Sequence, residues 1–71
     1  MYLVALRKAD KTIGEVEVVN DIKTAEKTQR KMLSEQFVKR NRQETILNNI
    51  KMHGRDYVTN SRGEAVYIFE M

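Results

Sequence analysis

NDIKTAEKTQRKMLSEQFVKRNRQETILNNIKMHG, running from Asn20 to Gly54, decides the fold. Between its ends it holds neither Gly nor Pro, and most of its residues are good or fair helix formers. Asn20 and Asp21 offer side-chain oxygens to the unpaired amides of a first helical turn, and Gly54 tolerates the left-handed conformation that stops a helix. A helical segment is therefore predicted over Ile22 to His53. At ~1.5 Å per residue it spans about 48 Å, roughly twice the ~25 Å of a seven- or eight-residue strand. Either it breaks, with the polar run Lys39 to Thr45 (KRNRQET) as the weakest point, or its second half projects toward a partner.

Outward from that segment the pattern changes period. Tyr2 to Ala9 (YLVALRKA) is apolar at nearly every position until Arg7, the mark of a strand covered on both faces or central in a sheet. Asp10-Lys11-Thr12 is a polar connection of hairpin length. Ile13 to Val19 (IGEVEVV) alternates Val16 and Val18 with Glu15 and Glu17 and reads as a half-buried strand, with Gly14 at a bulge. Beyond the helix, Asp56 to Asn60 (DYVTN) is a short strand, Ser61-Arg62-Gly63 a turn, and Glu64 to Met71 (EAVYIFEM) another nearly continuous apolar strand. The expected fold class is α+β with the order ββαββ. It is a four-stranded, mainly antiparallel sheet with one long helix, continuous or broken, on one face, and with the first and last strands side by side in the centre.

Seventy-one residues make a single domain, residues 1–71, and a chain this short buries only about 60% of its unfolded surface. With no Cys and one His, neither disulfides nor a structural zinc site supports the core. Association is the remaining device, so a homodimer or larger assembly is expected. No apolar run approaches the ~18 residues of a membrane span, and Met1 leads directly into a strand pattern. A complete, soluble, cytoplasmic chain is the expectation.

The net charge of +3 is unevenly held. From Asp21 to Arg55 nine cations stand against four carboxylates, a net of +5, while the remainder carries four against six, a net of −2. On a helical wheel Ile22, Ala25, Met32, Leu33, Leu47 and Ile50 fall within an arc of roughly 100°. Gln29, Gln36 and Gln43 lie on the same side at seven-residue spacing, the repeat of a helix that meets another helix. The opposite side collects Lys23, Lys27, Arg30, Lys31 and Arg42, with Lys39 and Arg40 at its margin and Asn41, Asn48 and Asn49 among them. Such a stripe tracks a phosphate backbone, its amides bonding phosphate or sugar oxygens. The alternative is a solvated face, since Glu26 and Glu35 stand three to four residues from Arg30, Lys31 and Lys39 and neutralise part of it.

The expected function is nucleic-acid binding, RNA in preference to DNA and with little sequence specificity, through Lys23, Lys27, Arg30, Lys31, Lys39, Arg40 and Arg42. The alternative is a protein-binding inhibitor or adaptor that docks the same helix on an acidic partner. Phe37, which falls off the apolar arc, would be its anchor, with Gln29, Gln36 and Gln43 beside it. In the last strand Tyr67 and Phe69 share one face, Val66 and Ile68 the other, and one pair must meet the helix. The aromatic pair is expected in the core or under a second subunit, although left open it would stack on unpaired bases. His53 precedes the helix-ending Gly54, where a cation suits the helix dipole. It has no nucleophile within reach, the acids show no paired spacing, and the glycines stand apart at 14, 54 and 63. Neither catalysis nor a metal, cofactor or small-molecule substrate is expected.

Overall fold

The computed structural model describes residues 1–34 and 41–71. Two hairpins flank a pair of helices, in the order β1 (Tyr2–Arg7), β2 (Ile13–Val19), α1 (Ile22–Leu33), α2 (Gln43–His53), β3 (Asp56–Thr59) and β4 (Ala65–Glu70). The strands form one antiparallel sheet in the order β2-β1-β4-β3, an α+β fold. The two most apolar strands thus sit side by side in the centre, as predicted. Pairing slips between Leu6, which faces Glu15, and Arg7, which faces Ile13, leaving Gly14 as the extra residue of a bulge. A Cβ there would lie 3.1 Å from side-chain carbons of Lys8, tighter than an ordinary contact.

The helical segment is two helices, which removes the continuous alternative. α1 starts at Asp21, whose Oδ1 accepts the Thr24 amide at 2.7 Å. It ends at Ser34, in the left-handed region with φ 53°, whose amide donates to the Lys31 carbonyl. α2 is closed by Gly54, with φ 80° and its amide donating to the Ile50 carbonyl. The break shifts the phase of the second half. Ile46, not Leu47, enters the core with Ile50, and Leu47 is 42% exposed. Helices of 12 and 11 residues are about 18 and 17 Å long, a match for strands of about 20 Å. The overlong helix therefore disappears as a motive for association.

α1 packs on β1, β4 and β2, and α2 on β3 and β4. The core lies between these helices and one face of the sheet: Val4, Leu6, Val19, Val66 and Ile68 meet Ala25, Met32, Leu33 and Ile46. Because successive side chains on a strand point to opposite faces, Leu3, Ala5, Arg7, Tyr57, Tyr67 and Phe69 belong to the other face. No described helix covers it.

Candidate nucleic-acid interface

The break brings together residues that a straight helix would keep apart. Asp56, at the start of β3, has a fully buried side chain. Arg42, next to α2, lays its guanidinium across that carboxylate, with Nη2 donating to Oδ1 at 3.0 Å and Nη1 to Oδ2 at 3.4 Å. Gln29 Nε2 donates to Asp56 Oδ2 at 2.9 Å and to the Val66 carbonyl at 3.1 Å, while its Oε1 accepts from Arg42 Nη1 at 2.7 Å. Asn49 Nδ2 donates to Asp56 Oδ1 at 2.7 Å, and the Arg42 amide donates to Glu26 Oε2. The buried charge is thus both paired and hydrogen-bonded, the condition for tolerating it in a core.

This corrects two expectations. Arg42 is engaged inside the fold and not on an open phosphate-binding stripe, and Gln29, fully buried, does not face a partner helix. The physical reason is that α1 and α2 pack against each other and on β3, so polar residues meet across the break. Gln43 is half-buried at the start of α2. Gln36, Phe37, Lys39 and Arg40 lie outside the described residues. On α1, Lys23, Lys27 and Lys31 are exposed, while half-buried Arg30 pairs with Glu26 one turn earlier at 3.4 Å.

The open face of the sheet gathers a different set. Tyr57 on β3 lies opposite Tyr67 on β4, with ring centroids 5.4 Å apart and planes inclined by 29°. Phe69, two residues along the same strand, continues the row at 6.0 Å and 13°. Arg7 and Arg55 bring their guanidinium carbons to 6.0 and 5.9 Å from the Tyr67 ring centroid, cation–π distance. Arg7 Nη1 donates to the Tyr67 hydroxyl at 3.4 Å, and its buried Nε has no partner among the described residues. Neither arginine forms an ion pair among the described residues.

Strand alternation explains why this face is cationic. Glu17, Glu15, Glu70 and Asp56 lie opposite Val4, Leu6, Tyr2 and Ile68, all of which point toward the helices. The acidic strand residues therefore project on the helix side, and among the described strand residues the open face carries only positive charge. A shallow depression of about 380 Å³ runs between Arg7, Lys11, Arg55, Tyr67 and Phe69. Val16 and Val18 add exposed apolar surface beside it. Of the two places expected for Tyr67 and Phe69, the core or a second subunit, the first is corrected: Val66 and Ile68 fill the core. The signal for the right choice was parity, since Arg7, on the same face of β1 as Ala5 and Leu3, marks that face as the wet one.

The carboxylates with shifted acidity lie in turns and caps. The Thr12 hydroxyl and amide hold Asp10 below the usual carboxylate range, the Thr24 amide does so for Asp21, and the Asn60 amide, seconded by Arg62, for Glu64. No described helix is long and apolar enough to cross a membrane. Comparison with protein-family models, with characterised proteins and with solved structures gives no match.

Proposed function

We propose that this protein binds single-stranded nucleic acid, RNA in preference to DNA and with little sequence specificity, and that it acts by binding without catalysing a reaction. The observation that carries the reading is the row Tyr57, Tyr67 and Phe69 with Arg7 and Arg55 against its middle ring, on a face without an acidic strand residue. Aromatic rings take unstacked bases whatever their identity, and guanidinium groups take the phosphates between them. Tyrosine hydroxyls favour RNA by bonding 2′-hydroxyls. A duplex keeps its bases stacked and offers this flat surface little beyond phosphate contacts.

A second copy packed on the same face is the competing occupant. Four strands about 4.8 Å apart and six residues at ~3.4 Å make a face of roughly 19 by 20 Å, or about 400 Å². That is about half of the ~800 Å² each partner contributes to a stable interface. It is the size of the functional patches that monomers commonly expose.

Fluorescence anisotropy with a labelled single-stranded RNA of eight nucleotides tests the reading. Tyr67→Ala should weaken binding by about 1–3 kcal/mol, the value of one stacked base. No binding below about 100 µM at low salt would remove the proposal. A dimer in sedimentation that Tyr67→Ala dissociates would assign the face to a second copy instead. A protein retained from nuclease-treated lysate and lost on neutralising Lys23, Lys27 and Lys31 would favour the inhibitor reading.

A further inference from the structure

At the free edge of the sheet, beside β3, Asn49 and His53 of α2 and Arg55 and Tyr57 of the following strand line a cleft of about 370 Å³. We infer that this cleft is a subsite for one unpaired nucleotide, its base against the Tyr57 ring and its phosphate on Arg55. The inference rests on the nucleic-acid reading of the adjoining face and gives the bound strand a place to turn off it.

The lining is chemically mixed in the way a nucleotide requires. Tyr57 is the outermost ring of the aromatic row and is 54% exposed, so one side of it stacks on Tyr67 while the other is open to a base. Asn49 has its Nδ2 committed to Asp56 Oδ1 at 2.7 Å, which fixes the amide and leaves Oδ1 as an acceptor for a base N–H. His53 follows Asn49 by four residues on the same face of the helix and adds a second polar contact. Arg55 lines both the cleft and the depression, and its guanidinium carbon lies 5.9 Å from the Tyr67 ring centroid. It is the natural seat of the phosphate that links a nucleotide in the cleft to the next one on the sheet.

Helix polarity sets the direction. α2 ends at this cleft, and the negative end of its dipole disfavours an anion there while favouring the N–H groups of a base. The base therefore belongs toward Asn49 and the phosphate toward Arg55 and the sheet. The volume lies near the small end of the range for small-ligand sites, which suits one nucleotide and not two.

The test is a titration of the intact protein with 5′-AMP and with adenosine, followed by side-chain and backbone NMR shifts. The expected result is saturable shifts at Asn49, His53, Arg55 and Tyr57, with adenosine binding at least about fivefold more weakly for want of the phosphate. Arg55→Gln should erase the difference between the two probes, and Tyr57→Ala should weaken both by about five- to hundredfold. Equal binding of AMP and adenosine, or shifts confined to other residues, would overturn the inference. Retained binding of the eight-nucleotide RNA alongside that negative result would sink the cleft alone. AMP binding without RNA binding would sink the sheet-face reading alone.

Discussion

Asp56 accepts four side-chain hydrogen bonds, from Gln29, Asn49 and both terminal nitrogens of Arg42, at a position where its side chain is fully buried. Removing one partner from such a set costs far more than the set contributes, because the remaining charge and amides stay buried without partners. Asp56→Ala is therefore expected to lose about 3–5 kcal/mol of stability in urea titrations, a large share of the ~5–15 kcal/mol that holds a domain together. The double change Asp56→Asn with Arg42→Met should cost less than Asp56→Ala, since no charge is then buried and an acceptor remains for the neighbouring amides. A loss under about 1 kcal/mol for Asp56→Ala would mean that this group of residues is peripheral to folding.

Each helix end was readable in proportion to how local its cause is. Asp21 caps α1 from within its own turn, and the Thr24 amide, by donating to its carboxylate, holds its pKa below the usual value of 3.8. A carboxylate whose folded value is depressed contributes stability that is present in full above its unfolded value and lost as the pH falls through the folded one. The difference in Tm between the protein and Asp21→Ala should accordingly be largest near neutral pH and shrink below 3.8; a difference constant with pH would count against the cap. Gly54 and the two hairpins are equally local and were predicted in place. The end of α1 was not, because its cause is distant in sequence: the Leu33 carbonyl takes hydrogen bonds from Arg62 Nη2 at 2.9 Å and Asn60 Nδ2 at 3.4 Å, in the β3–β4 turn. Nothing in the residues around Ser34 announces that. The same holds for Arg42, which periodicity places on the charged face, and for Gln29, which it places on a helix–helix seam; Asp56 draws both inward.

The molecule measures 27 by 23 by 21 Å, and the exposed lysines of α1 and the arginines of the open sheet face lie on opposite sides of a body one helix layer and one sheet thick. At physiological salt the Debye length is about 8 Å, and charges across that distance are largely screened from each other's ligands. The two candidate surfaces therefore separate by salt dependence. Each phosphate contact with a single strand contributes a log–log slope of about −0.7. If the strand lies on the sheet, Arg7→Gln with Arg55→Gln should flatten the slope by about 1.4, while Lys23→Gln, Lys27→Gln and Lys31→Gln together leave it nearly unchanged and lower mainly the association rate. If the strand lies along α1, the outcome reverses, and the triple change flattens the slope by about 2. A strand that turns over the β3 edge and reaches α1 would respond to both sets, with the two losses adding because the sites share no residue. Affinities measured at three salt concentrations for the protein and the two variants decide among these paths, and a slope that neither variant moves would show that phosphate contacts are made by neither surface.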